Sequence, residues 1–65
     1  MNIVLNDAPY EFFGNTLKDL LLELKKEEQG IAIAIDQQVV PKSQWQSTQL
    51  NERSQVFIFE SIAGG

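Results

Sequence analysis

The chain has 65 residues, nine acidic and five basic, with a formal charge of −4, 43% hydrophobic residues, and neither cysteine nor histidine. So short a chain supports one domain with one small core, and it excludes disulfides, Cys/His zinc sites, thiol nucleophiles and imidazole bases. Its few scattered cations argue against nucleic acid, and its longest apolar run, Ile31 to Ile35, is far below the roughly 20 residues of a membrane helix.

The first element is a short apolar run, Asn2-Ile3-Val4-Leu5-Asn6, with no basic segment ahead of it to suggest a secretory signal. Asn6-Asp7-Ala8-Pro9 carries turn chemistry, and Tyr10-Glu11-Phe12-Phe13 is aromatic-rich and stops at Gly14. Two such runs around a polar loop predict a β-hairpin. Next, Leu17, Leu20, Leu21 and Leu24 recur at helical spacing and mark one buried face. Thr16 is the predicted N-cap, and Asp19 completes a capping box with the shorter acid. Lys25 and Lys26 fit the last turn, and Gly30 fits the left-handed stop. Burying four leucines yields roughly 6–12 kcal/mol of gross transfer free energy, before chain entropy is subtracted.

Ile31, Ile33 and Ile35 alternate with Ala32, Ala34 and Asp36, the period of a strand whose second face admits something bulky. Asp36-Gln37-Gln38 turns the chain into Val39-Val40, a short extended piece that stops at Pro41. Pro41 to Trp45 predicts a helical turn anchored by the single tryptophan. Residues 46–54, polar apart from Leu50, read as loop, and Gln55 to Ser61 is rich in β-formers. The order calls for one main helix packed across a mixed four- to five-stranded sheet, and the helix between strands two and three permits a parallel crossover. That α+β arrangement is the outline of the β-grasp, or ubiquitin-like, fold. Residues 1–61 form its single domain, and 62–65 a flexible tail in which Ala-Gly-Gly has nothing to bury.

Candidate chemistry inside the domain is sparse. Asp7, Glu11, Asp19, Asp36, Glu52 and Glu60 form no acid/base or metal motif and read as a solvated surface. Ser43, Ser47, Ser54 and Ser61 have no histidine to activate them, and Gly14 and Gly30 are too isolated for a phosphate loop. Trp45 reads as a packing anchor rather than a ligand platform. The helix acids with Glu52 and Glu60 would steer the protein toward a basic cleft.

The tail is different. Ile62-Ala63-Gly64-Gly65 follows the last strand directly, and two residues without β-carbons pass through a channel too narrow for side chains. Gly65 then offers its carboxylate as a handle that another enzyme can activate on the α-phosphate of ATP. A Gly-Gly ending arises by chance in about one chain in 200 at glycine usage near 7%, so it gains weight only beside the ubiquitin-like element order.

With those features together, the chain resembles the small sulfur carriers of thiamine thiazole biosynthesis, the ThiS type. The resemblance spans the Ile-Val-Leu-Asn start, the Thr16-Leu17 to Leu24 helix, Ile33-Ala34-Ile35-Asp36, Val39-Val40-Pro41-Lys42-Ser43-Gln44-Trp45, and Phe57-Ile58-Phe59 leading to Ala63-Gly64-Gly65. Two positions depart from that pattern: Asp36, where Asn is common, and Arg53-Ser54, where a Gly-Asp turn is usual and a different loop conformation is implied. The resemblance implies a covalent carrier without an active site or bound cofactor of its own. A ThiF-type adenylating enzyme, using ATP and magnesium, would activate Gly65. Sulfur from a cysteine desulfurase or other donor would make the thiocarboxylate, and thiazole synthase would receive it. Ile62, Ala63 and Gly64 would enter the partner's active site. Molybdopterin synthase or a tRNA-thiolating enzyme as recipient, a ubiquitin-like modifier, and a plain interaction domain are the alternatives. If Val56, Ile58 and Ile62 face the core, Phe57 and Phe59 either form a docking patch on the other face or cover one another.

Overall fold

The computed structural model describes residues 1–60. Strand β1 (Asn2–Leu5) and β2 (Ala8–Glu11) form the expected antiparallel hairpin. Asn6 and Asp7 make its two-residue turn at φ 49° and 65°. Two successive left-handed residues match the twist of the flanking strands, and Asn and Asp tolerate that region better than most. The second strand therefore starts at Ala8, before the aromatic run, and includes Pro9. Met1 and Phe12 exchange both backbone bonds, so alternation leaves Pro9 at a non-hydrogen-bonded position of an edge strand. Its missing N–H costs the ladder nothing.

Helix α1 (Leu17–Glu23) begins as its sequence demands. The Thr16 hydroxyl accepts the Asp19 N–H at 3.2 Å, and Asp19 Oδ2 accepts the Thr16 N–H at 3.1 Å. The helix ends earlier than the lysine-rich last turn suggests. Leu24 is the C-cap, Lys25 stands at φ 59°, and the N–H groups of Lys25 and Lys26 bond the carbonyls of Leu22 and Leu21. This Schellman closure satisfies two orphan carbonyls, so Lys25 is the left-handed stop, and not Gly30. Gly30, at φ 73°, instead leads into β3. A lysine in that conformation is strained by about 1 kcal/mol. Lys25→Gly is expected to raise stability by about that amount, read as a higher urea midpoint at unchanged slope.

Strand β3 (Ile31–Ile35) and β4 (Gln38–Val40) form a second hairpin through Asp36 and Gln37, again left-handed at φ 48° and 73°. A 3-10 turn (Lys42–Gln44) then leads through the polar loop to β5 (Gln55–Glu60). The sheet order is β2-β1-β5-β3-β4, with β5 parallel to β1 and antiparallel to β3. The predicted mixed sheet thus has five strands.

The core lies between the sheet and α1. Ile3, Ile33, Val56 and Ile58 meet Leu17, Leu20 and Leu21, with Phe12, Trp45 and Leu50 closing the sides. Leu24, expected to be fully buried, is only partly so, because it caps the helix and packs at the core's margin. The loop after Trp45 is tied to the helix start: Leu17 N–H bonds Thr48 O and Leu50 N–H bonds Asn15 O. Arg53 stands at φ 67°, a conformation glycine holds without strain, and its N–H reaches Asn2 O. Among the described residues no helix is long and apolar enough to cross a membrane.

Candidate functional site: the last strand and its exit

Strand β5 runs through the middle of the sheet and delivers the chain to its C-terminus. Val56 and Ile58 point into the core, while Phe57 and Phe59 occupy the opposite face, the alternation expected from the sequence. Their rings stack with centroids 6.2 Å apart and planes 16° from parallel. Phe57 is half-buried and stands across from Ala34, which is only 7% exposed although it lies on the outer face. Phe59 stands across from Ala32 and is 56% exposed. The rings cover each other, and Phe59 still presents an open face. Val39, paired with Ala34 from the other side, extends this apolar surface and is itself exposed. The small alanines are what let the two rings lie down on the sheet.

Beside Phe59 lies an open groove of about 600 Å³, bordered by Gly30, Ile31, Ala32, Lys42 and Glu60. Ion pairs Lys26–Glu60 and Lys42–Glu28 stand at its rim, the latter at 4.0 Å. Such exposed pairs contribute little stability.

Two turn residues stitch β5 in place. Asp36 exchanges bonds with Gln55 at the start of the strand: its N–H donates to Gln55 O at 2.8 Å, and its Oδ1 accepts Gln55 N–H at 3.1 Å. Asn6 does the corresponding work farther along. Its backbone N–H donates to Val56 O, its Oδ1 accepts the Ile58 N–H at 2.8 Å, and its Nδ2 approaches Ile58 O at 3.4 Å. The sequence showed both residues only as turn formers.

The remaining candidates hold structure. Trp45 is buried and its Nε1–H donates to Val40 O at 2.9 Å, the anchor role expected of it. Asp19 caps the helix, and the N–H groups of Asn15 and Thr16 hold its carboxyl below the usual carboxylate range. Glu23, read from the sequence only as one of the helix acids, accepts the Tyr10 hydroxyl and the Phe13 N–H. That hydroxyl bond, more than burial, raises Tyr10 above its ordinary value. Glu52 accepts the Asn2 N–H and Glu60 pairs with Lys26, so both acids have local partners. Among the described residues no group of three or more acidic side chains could hold a metal ion. Ile62, Ala63, Gly64 and Gly65, and with them the boundary at 61/62, lie outside the described residues.

The family model described as the ThiS family matches residues 3–65. This chain belongs to the ThiS family. A curated family relative, the sulfur carrier protein ThiS of Escherichia coli (strain K12), is 38% identical over 66 residues, covering 100% of both chains. The crystal structure of the thiamine biosynthesis protein ThiS from Geobacter metallireducens is similar over 100% of both chains, with a TM-score of 0.84 at 20% identity. At that identity the likeness shows the fold. It is the mixed five-stranded sheet with one helix that the order of elements in this chain had suggested.

Proposed function

We propose that this protein is a sulfur carrier of thiamine biosynthesis, acting in the cytoplasm as a covalent cosubstrate and not as an enzyme. The observation that carries the reading is a family match running to residue 65, joined to a full-length relative that is named a sulfur carrier. The relative is named ThiS, and the solved structure of that name is described as a thiamine biosynthesis protein, which favours thiazole synthase as recipient over molybdopterin synthase or a tRNA-thiolating enzyme.

In this scheme a carboxylate oxygen of Gly65 attacks the α-phosphate of ATP, and pyrophosphate leaves. The glycyl-adenylate is a good acyl donor, so a sulfur nucleophile displaces AMP. When that nucleophile is the outer sulfur of the donor's persulfide, an acyl disulfide forms, and a thiol then cleaves its S–S bond, taking the donor's sulfur into a new disulfide and leaving the terminus as a thiocarboxylate. ATP and magnesium belong to the ThiF-type adenylating enzyme, and Ile62, Ala63 and Gly64 bring Gly65 into it. The test is incubation with that enzyme, Mg-ATP and a cysteine-desulfurase sulfur donor, followed by thiol alkylation and intact-mass spectrometry. The chain has no cysteine, so an alkyl label confined to the C-terminal peptide marks a thiocarboxylate. An unlabelled protein, beside an enzyme active on another carrier, removes the reading.

The outer face of β5 is the docking surface in this proposal. Phe59 is more than half exposed and adjoins the exit of the chain, whereas Phe57 also serves packing over Ala34. Phe59→Ser is expected to weaken binding to the adenylating enzyme about tenfold while moving unfolding stability by less than about 1 kcal/mol. Phe57→Ser is expected to lose both binding and about 1–3 kcal/mol of stability. Titration calorimetry beside urea unfolding separates the two effects. Unchanged affinity of both variants would remove the docking face.

A further inference from the structure

Asn6 does more than turn the first hairpin. The parallel ladder between β1 and β5 ends with Leu5 opposite Val56, where the backbone of β1 departs into its turn. From there the primary amide of Asn6 replaces a peptide group. It accepts the N–H of Ile58 and offers its own N–H toward the carbonyl of the same residue, across 52 positions of sequence. A side-chain amide has the same donor and acceptor pair as a backbone peptide, so it lengthens the ladder by one step without a further residue of strand. Both backbone groups of Ile58 thus turn to Asn6, while on its other edge it stands opposite Ile33 of β3. It lies seven residues before Gly65. Asp36 offers the contrast. It also binds β5 from a left-handed turn position, but at Gln55, the opposite end of the strand.

We infer that Asn6 is a positioning residue for activation of the C-terminus: its amide fixes the point from which the reactive arm is presented. This rests on the sulfur-carrier reading above. With the clamp in place, the strand beneath Phe59 and Glu60 is ordered before the partner binds. Without it, part of the binding free energy is spent on ordering that segment. The loss falls on productive docking, not on the chemistry of a carboxylate seven residues away.

The experiment compares Asn6→Gly and Asp36→Gly as substrates of the ThiF-type enzyme, by pyrophosphate release at varied carrier concentration. Glycine keeps both left-handed turns and removes both side-chain clamps, so each variant retains its hairpin geometry. Circular dichroism sets the folded concentration. Asn6→Gly is expected to raise KM for the carrier about fivefold with kcat nearly unchanged, and to speed amide exchange at Ile58 about tenfold over wild type. Asp36→Gly is expected to stay within about twofold of wild type in KM. Asn6→Asp keeps the acceptor for the Ile58 N–H but loses the donor, and is expected to fall between. Equal KM changes in the two glycine variants, or none in Asn6→Gly, overturn the role of Asn6 and leave the carrier reading standing. Wild-type protein that is not adenylated overturns the carrier reading, and with it the positioning role.

Discussion

Deleting Gly65, or adding one residue after it, is expected to abolish adenylation and leave the fold intact. The reacting group in the proposed scheme is a single carboxylate, and its position relative to ATP is set by reach. Removing the last residue withdraws that carboxylate by about 3.5 Å, and adding one places a peptide bond where the nucleophilic oxygen should be. Near-attack geometry requires the reacting atoms at about 3–3.5 Å, so either change lowers the rate by several orders of magnitude. Pyrophosphate exchange with the adenylating enzyme measures it, and thermal unfolding of both variants checks the fold. The core cluster is drawn from residues 3–58, so the melting temperature is expected to stay within about 2 °C of wild type. Normal exchange by either variant would mean that the enzyme does not act on this terminus.

The second large effect is at Gly14. A β-carbon there would lie 2.6 Å from Asp19 Cβ and 2.9 Å from two ring carbons of Phe12. Neither neighbour has room to yield. Asp19 is held by three backbone bonds with Asn15, Thr16 and the Thr16 hydroxyl, and Phe12 is fully buried. Gly14→Ala must open the capping box or shift the aromatic ring, at a cost of about 2 kcal/mol, and for a domain this small that is a drop of roughly 10 °C in melting temperature. A calorimetric melt decides it, and a shift under about 2 °C would mean that the Gly14 segment moves freely.

That glycine shows how far sequence reading reached. Its place at the end of an aromatic run was plain, but the contacts that require it were not. Phe12 and Phe13 are adjacent and identical, yet Phe12 is fully buried and Phe13 is 79% exposed. Leaving the hairpin, the chain has no regular period from which to assign a face. The reading of the tail is chemical, from small residues and a carboxylate, and its residues lie outside those the structure describes.

Local interactions were determined by sequence alone. The capping box joins residues three apart, the leucine stripe follows the pitch of a helix, and the strands alternate with period two, so Phe57 and Phe59 must share the face opposite Val56 and Ile58. Tertiary structure decided the rest. Pro9 fits a strand because β2 lies at an edge. Asn6 reaches Ile58 only because β5 is laid beside β1, 52 residues later, and no local rule specifies which strand will arrive at a side-chain amide.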